Sequence, residues 1–319
     1  MKNKISYRIR NWSQYNKSLV NRGKLTFWFS EDESKMWKSQ KISGQKGRPE
    51  LYSDVAIQCL LIIRSVYHLP LRGLQGLMES LIHLSGFNLP CPNYTTVCKR
   101  AKFLKVKFPR LTNPGENIHV LVDSTGLKIY GEGEWKTRKH GISKRRTWRK
   151  LHVGICMETQ SVVGSALTTN NIGDSEIFGN LLDMVEGTIA SVSGDGAYDT
   201  TDCYDACHFY GANPIIPPRR GAKKQFLNRN ESLDKRDIAI QFITDHGGGD
   251  EGRKLWKKKA GYHKRSLIET HFFRHKTIFG PKLRSRLFCN QSTEAFTMCA
   301  ALNKMTSLGM PNSYPVNRG

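Results

Sequence analysis

The chain has 319 residues and a formal net charge of +23, from 50 Lys or Arg against 27 Asp or Glu. Hydrophobic residues make up 38%, which is enough to bury a core and excludes global disorder, and the length suggests about two domains. The longest apolar run, AIQCLLII, is far shorter than the roughly 18 residues that span a bilayer. No apolar segment follows the basic N-terminus, so we expect no signal peptide and a soluble, cytoplasmic protein. The charge favours nucleic acid as the partner.

The eight cysteines form no CxxC pair. Cys203 and Cys207 would share one face of a helix, and His208 follows them, but no second pair of metal ligands lies nearby in the sequence. We therefore expect buried free thiols rather than a zinc site.

The first 50 residues carry 12 basic and four acidic side chains, together with Trp12, Trp28 and Trp37. The stretch GQKGRP, at residues 44–49, is typical of a flexible basic link. We expect residues 1–50 to form a basic N-terminal region, with DNA binding and dimerisation equally open as its role.

Helical periodicity begins after this region. Ser53 is predicted to cap a first helix, Leu71–Leu84 a second and Tyr94–Phe103 a third, and the last of these is basic. Three short helices with a tight turn before a basic one are typical of a helix-turn-helix DNA-binding domain, here at residues 51–112. A helical bundle with an exposed basic face is the alternative.

The pattern then changes to strands and helices in alternation, which predicts an α/β sheet covered by helices. Strands are expected at Ile118–Val122, Lys150–Met157, Ser161–Leu167, Ile189–Ser193 and Asn213–Ile216. Helices are expected at Gly173–Val185, Thr200–Tyr210, Tyr262–Phe279 and Thr293–Leu308, and a polar, loop-rich stretch at Arg219–Gly252.

Three acidic residues stand out from this pattern. Asp123 and Asp195 each follow a buried strand, and if these strands are parallel neighbours, both acids face one crevice. Glu269 is the sole acid between Arg253 and Arg286, a stretch with 12 Lys or Arg. Carboxylates that converge need a cation between them, and an oxygen-only set favours Mg²⁺ or Mn²⁺. Purely structural roles remain open: a turn cap for Asp123, a turn residue for Asp195, and an ion pair with Arg265 for Glu269.

The helix that carries Glu269 also has a recognisable signature. Tyr262, Arg265, Glu269 and Lys276 follow the spacing Y-x2-R-x3-E-x6-K, which is similar to the Y-R-E-K signature of bacterial insertion-sequence transposases of the DDE class. On a helix these four residues would share one face. Further segments resemble the insertion-sequence-five family over nearly the whole chain: VDSTGLKIYGEGEWKTRKHGISKRRTWRKLH, LTTNNIGDSE, GDGAYDT, IIPPRR, GYHKRSLIET, CAALNKMTSLGMP, YNKSLVNRGKLTFWF and LPLRGLQGLMESL.

This resemblance implies an RNase H-like catalytic domain, with a mixed five-stranded sheet flanked by helices, which we place at residues 113–290. A C-terminal helix and tail would follow at residues 291–319. The implied catalytic triad and metal ligands are Asp123, Asp195 and Glu269, and the implied contacts to backbone phosphates are Tyr262, Arg265 and Lys276.

The implied activity is DNA transposition, in which the ends of the element are cut and the freed 3′-hydroxyl groups are joined to target DNA. Two Mg²⁺ ions, roughly 3.5–4 Å apart in such sites and replaceable by Mn²⁺, would be bridged by Asp123. The partners would be double-stranded DNA, as terminal inverted repeats and as target, and a second copy of the chain in a homodimer on DNA. A nucleoid-associated location follows from these partners.

A basic excursion runs from Gly126 to Lys150, with eight Lys or Arg from Lys136 onward and two interleaved tryptophans. We expect it to contact DNA beside the active site, with a tryptophan stacked on an unpaired base. A solvated basic hairpin with core-packed tryptophans is the alternative. The predicted DNA contacts are Trp135, Lys136, Arg138, Lys139, Arg145, Arg146, Trp148 and Arg149.

Two other function classes remain open from the sequence. One is a catalytically silent, sequence-specific DNA-binding protein on the same fold, against which the three intact acids argue. The other is a structure-selective RNase H-like nuclease, which would cleave DNA without joining it.

Overall fold

A computed structural model describes residues 6–40, 49–113, 115–129, 148–224 and 231–316. The chain divides into two compact units, one made of residues 1–109 and 300–319 and the other of residues 110–299. The sequence divides the chain into four segments by their composition and expected role, and that division stays a prediction. Nearly all residues of the first two segments, 1–50 and 51–112, lie in the same compact unit.

The first unit is helical. Its elements are β1 (Ser6–Ile9), α1 (Trp12–Arg22), α2 (Leu25–Trp28), α3 (Glu31–Lys35), α4 (Asp54–Val66), α5 (Leu71–Ser85), α6 (Tyr94–Ala101) and the C-terminal β7 (Ser313–Val316), which pairs antiparallel with β1. The side chain of Ser53 accepts a hydrogen bond from the Ala56 amide at 3.1 Å, so the predicted cap of α4 is confirmed. Gly86 ends α5 with a φ of +71°, a left-handed conformation that favours glycine.

The helix-turn-helix geometry lies one helix earlier than the sequence predicts. α4 and α5 are joined by residues 67–70 and meet at 112°, which matches the 90–120° and short turn of that motif. By contrast, eight residues (86–93) separate α5 from α6. In the described part of the chain no single helix is long and apolar enough to cross a bilayer, although α4 and α5 taken together meet that length and hydropathy.

The second unit is built on a mixed sheet, which in the described residues has five strands. These are β2 (Asn117–Lys128), β3 (Trp148–Cys156), β4 (Val162–Thr169), β5 (Thr188–Ser193) and β6 (Asn213–Ile215), in the order β4-β3-β2-β5-β6. β3 is antiparallel to both of its neighbours, whereas β5 is parallel to β2 and to β6. This is the mixed five-stranded sheet expected of an RNase H-like domain. β2 and β5 are parallel neighbours, which is the condition under which the sequence places Asp123 and Asp195 on one crevice.

Helices flank the sheet. The helices of this unit are α7 (Phe178–Asp183), α8 (Thr201–Phe209), α9 (Glu231–Asp245), α10 (Gly249–Lys259) and α11 (Ser266–Phe279), and single 3-10 turns occupy Ser175–Ile177, Gly196–Tyr198 and Tyr262–Arg265. A further helix, α12 (Phe288–Ser307), has residues in both units. A core cluster joins β2 and β5 to α7 and α8, through residues such as Val120, Val192, Phe178 and Tyr204. On another side of β2, α11 packs against the strand.

Several sequence predictions are wrong in detail. The stretch Arg219–Gly252 is not loop-rich as a whole, because α9 and the start of α10 lie in it. The buried residues of α9 include the charged Arg236 and Asp237 as well as Leu233 and Ala239. Its inward face therefore lacks the continuous apolar pattern that would have predicted a helix. The helix expected over Gly173–Val185 is divided into a 3-10 turn and α7, and the helix expected from Tyr262 begins as α11 only at Ser266.

The cysteines are free, and five of the eight are buried, Cys203 and Cys207 in α8 among them. Cys289 is exposed. Burial raises the pKa of the Cys203 thiol to about 11, so this side chain behaves as a small apolar group.

Candidate active site

The sequence predicts that Asp123 ends a strand, but in the structure it lies inside β2. Parallel pairing of β2 with β5 stops at Leu121, but β2 continues as the partner of β3, and Asp123 stands opposite Val153. Because the strand runs on through Ser124, the turn-capping alternative for this residue is wrong. The carboxylate accepts a hydrogen bond from the Ser124 amide at 2.8 Å, and burial raises its pKa even though Arg265 opposes that shift.

Asp195 follows β5 after one glycine and begins the 3-10 turn Gly196–Tyr198. Its Oδ1 accepts a hydrogen bond from the Ala197 amide at 2.8 Å, so the turn role left open by the sequence is real. Gly194 has no room for a side chain, because a Cβ there would lie 2.7 Å from the Tyr198 ring. Since β2 and β5 are parallel neighbours, Asp123 and Asp195 come to the same edge of the sheet.

Glu269 lies in the first turn of α11, the helix that packs against β2. It is joined to the two aspartates by one guanidinium group. Arg265 Nη1 donates to Glu269 Oε1 at 2.8 Å, Nη2 donates to Asp123 Oδ2 at 2.9 Å, and Asp195 Oδ2 lies 3.7 Å from the same Nη2. The ion pair expected as a structural alternative for Glu269 therefore exists, and it is part of a convergence of all three acids.

The donor set fits a cation. Three carboxylates from three separate elements surround a single positive charge, that of Arg265, whose side chain is only 14% exposed. Across the described ranges no three His, Cys, Asp or Glu side chains stand close enough to hold a metal ion as they are. The acids are thus gathered by the arginine in this structure, and their oxygen atoms are of the kind that hard divalent cations bind.

The other residues of the signature lie on either side of this centre. Tyr262 belongs to the 3-10 turn before α11, so it and Arg265 do not continue the α-helical face that the spacing predicts. Lys257 Nζ lies 5.1 Å from the centre of the Tyr262 ring, and burial raises the pKa of that phenol. Lys276 lies two helical turns beyond Glu269 on the same side of α11.

Of the DNA contacts predicted in the basic excursion, the described residues include only Trp148 and Arg149. Trp148, at the start of β3, is 41% exposed. Arg149 donates to Gln291 Oε1 at 2.9 Å and stacks on the Phe288 ring at 5.3 Å, so its guanidinium is engaged within the protein. The remaining predicted contacts lie outside the described residues: Trp135, Lys136, Arg138, Lys139, Arg145 and Arg146.

Sequence reasoning missed a polar cluster close to the acids. Asp174 Oδ1 lies 3.1 Å from Lys150 Nζ and 3.5 Å from His152 Nδ1, and its charge contributes to the raised pKa of Asp123. Burial lowers the pKa of His152 to about 4, so this imidazole is neutral near pH 7. Lys150 and His152 alternate along β3, and that period of two was the available signal.

Three solved structures match this chain at low identity and low TM-score. A synaptic complex of the piggyBac transposase with hairpin DNA matches at 10% identity and a TM-score of 0.40, covering 91% of this chain and 74% of that one. The Mos1 strand transfer complex matches at 11% and 0.22 (72% and 81% covered), and the Drosophila P element transposase strand transfer complex at 11% and 0.28 (93% and 86% covered). Likeness at this level supports no inference about this chain.

The family comparison is decisive where the structural one is not. A family model described as a transposase DDE domain matches residues 20–132, and a second model with the same description matches residues 114–304. The second match spans more than half of the chain, including β2, β5 and α11 with their three acids. The insertion-sequence-five family is compatible with these matches but is not singled out by them. With the mixed sheet and this match together, the chain belongs to the DDE transposases.

Proposed function

We propose that this transposase binds the terminal inverted repeats of an insertion sequence, cuts the element ends and joins the 3′-hydroxyl ends to target DNA. One observation carries the proposal: Asp123, Asp195 and Glu269 reach a single point from β2, from the turn after β5 and from α11. A silent DNA-binding protein would have no need of three carboxylates gathered at the edge of the sheet.

The three acids are the residues that would hold divalent cations. Their donor set is oxygen only, which suits Mg²⁺, with Mn²⁺ as a substitute. When bound, such a pair of ions makes the attacking water or hydroxyl group more nucleophilic and stabilises the leaving oxygen.

Two partners would compete for Arg265 in this proposal: the three acids and a phosphate of DNA. In the DNA-free chain its guanidinium neutralises the acids, and a phosphate of DNA would compete for the same donors through a bidentate contact. Glu269 is 63% exposed and Asp195 is 43% exposed, so both of these contacts are open to competition from solvent and ligand. DNA binding thus frees the acids for metal, and Arg265, Lys276 and Tyr262 hold the strand beside them.

The first unit supplies the DNA-recognition surface in this proposal. Arg100 of α6 is not available for it, because its Nη2 donates to Asp54 at 2.6 Å and its Nη1 to the Tyr52 carbonyl at 2.8 Å. The exposed basic residues around the end of α6 are free of such bonds among the described residues: Lys99, Lys102 and Lys105. Two element ends must be processed together, so we propose a homodimer on DNA.

The proposal is tested with DNA that carries the gene and its flanking segments. Asp123→Asn, Asp195→Asn and Glu269→Gln should each abolish Mg²⁺-dependent cleavage without weakening DNA binding, because in this account the acids compete with DNA for Arg265 and do not bind the backbone. Asp202→Asn, an exposed acid in the first turn of α8, is the matched control and should cleave normally. Cleavage by any of the three variants would refute the assignment, and cleavage without joining would favour the nuclease alternative.

A further inference from the structure

The turn that carries Asp195 is held from outside by an exposed arginine. Arg219 lies just after β6 and Pro217–Pro218, and its Nε donates to the Gly196 carbonyl at 3.0 Å while its Nη2 donates to the Ala197 carbonyl at 3.1 Å. These are the two residues directly after Asp195. One guanidinium therefore fixes consecutive peptide groups of the turn.

The far end of the same turn is fixed by a buried acid. The Asp199 side chain is 1% exposed, and it accepts from the Arg219 amide at 2.7 Å and from Arg236 Nε and Nη2 at 2.7 and 3.3 Å. The Tyr204 hydroxyl donates to it as well, at 3.1 Å. Asp199 thus ties the turn to α8, to α9 and to the segment after β6.

The direction of the Asp195 carboxylate depends on this turn. Its Oδ1 is bonded to the Ala197 amide, whose neighbouring carbonyls Arg219 holds, and its Oδ2 faces Arg265 at 3.7 Å. Gly194, the residue before Asp195, lies so close to the Tyr198 ring that an added Cβ would be 2.7 Å from it. A rotation of the Ala197 peptide would therefore turn the carboxylate away from Asp123.

We propose that Arg219 is a positioning residue of the transposase, which orients Asp195 toward the metal through the Gly196 and Ala197 carbonyls. This inference rests on the proposed function, in which Asp195 is a metal ligand. In this role the Arg219 side chain contacts the Gly196 and Ala197 carbonyls and neither the three proposed metal ligands nor the substrate. Asp199, with Arg236 beneath it, anchors the segment from which Arg219 reaches the turn.

The same geometry gives the proposal a clean test. Arg219 is exposed, so its loss leaves no buried cavity, and the chain offers a neighbouring arginine as control. Arg220 is 79% exposed, and its guanidinium pairs with the equally exposed Asp250 at 2.8 Å rather than with the carbonyls of the Asp195 turn. Arg219→Ala, Arg219→Lys and Arg220→Ala should be compared with the wild type as full-length protein on the same flanking DNA.

Three quantities should be measured: the Mn²⁺ concentration for half-maximal cleavage at saturating DNA, the DNA dissociation constant without divalent metal, and the melting temperature. For Arg219→Ala we expect the Mn²⁺ requirement to rise by about 10- to 100-fold, as for other residues that orient ligands. The dissociation constant and melting temperature should stay at the wild-type values. Arg219→Lys, which can still donate to one carbonyl, should lie between, and Arg220→Ala should match the wild type.

An unchanged Mn²⁺ requirement in Arg219→Ala would overturn the proposal. So would a weakened DNA affinity with unchanged Mn²⁺ requirement, since that identifies a phosphate contact, or an equal effect of Arg220→Ala, since that identifies a general loss of charge. The Asp195→Asn variant distinguishes failure of the Arg219 proposal from failure of the proposed function. If Asp195→Asn cleaves normally, the proposed function itself fails, independently of the result for Arg219.

Discussion

The surroundings of Asp195 and of Glu269 differ sharply, although both acids face Arg265. The Asp195 turn is tied to three segments through Asp199 and Arg219. Glu269 is 63% exposed, and in the described part of the chain its partner is Arg265 alone. One acid is thus fixed by a network, and the other is held by a single cation.

The energetics of the two regions differ in the same way. An ion pair with one exposed partner, such as that of Arg265 with the 63% exposed Glu269, is screened by solvent on that side and is worth about 0–1 kcal/mol. Breaking a buried pair by removing one partner costs about 3–5 kcal/mol, because a charge is left without its counter-ion. We conclude that the contact between Arg265 and Glu269 opens at the least cost, while the Asp195 turn stays in place.

The largest effect is therefore expected in the buried network. Asp199→Ala leaves Arg236 buried without its main partner and should lower the free energy of unfolding by about 3–5 kcal/mol. Glu269→Gln should change it by less than about 1 kcal/mol. Urea denaturation of both variants measures the difference, and equal stabilities would show that the two regions are not distinct.

The next effect concerns the movable cation. Arg265→Ala removes the charge that neutralises the acids, so Mn²⁺ should bind the DNA-free protein about 5- to 100-fold more tightly, the usual range of coupling between two sites. DNA affinity should fall in the same variant. Lys264→Ala removes an equal charge from an exposed position in the same turn and serves as control. Titration of free Mn²⁺ by electron paramagnetic resonance would reveal the change, and identical affinities in all three proteins would refute competition by Arg265.

A smaller effect is expected from pH in the cluster beside the acids. His152 has a pKa of about 4 in the folded chain against an ordinary 6.5, so the unfolded chain takes up its proton first as the pH falls. Its contribution to stability is complete above pH 6.5 and is lost as the pH falls toward 4. Between pH 6.5 and 5 this one imidazole should cost about 1–2 kcal/mol. His152→Gln should flatten the dependence of unfolding free energy on pH, and an unchanged slope would contradict the assignment.

The smallest effect belongs to a single phosphate contact. About 8 contacts predict a slope near −7 for log affinity against log salt, from roughly −0.9 per contact. Lys276→Ala should make this slope less steep by about 1. Binding measured from low to moderate salt tests it, and a flat dependence in the wild type would mean that the basic surface does not bind DNA.

Much of this arrangement can be predicted from the sequence, because short apolar runs locate the strands, although the parallel pairing of β2 with β5 is seen only in the structure. The three acids can be selected from their positions next to these runs and from the surrounding charge. What could not be predicted is which distant side chains meet. Arg265 and Asp123 are 142 residues apart, and Arg236 and Asp199 are 37 apart. The helix α9 could not be predicted either, because its buried charged residues interrupt the apolar stripe by which an amphipathic helix is identified in a sequence.

The central claim is that Asp123, Asp195 and Glu269 bind metal when DNA displaces Arg265. The most direct measurement is anomalous scattering from Mn²⁺ in crystals of the full-length protein bound to its element-end DNA. The account predicts manganese in contact with all three carboxylates and Arg265 turned onto a phosphate. Manganese bound elsewhere, or Arg265 still bridging the three acids in the DNA complex, would contradict it.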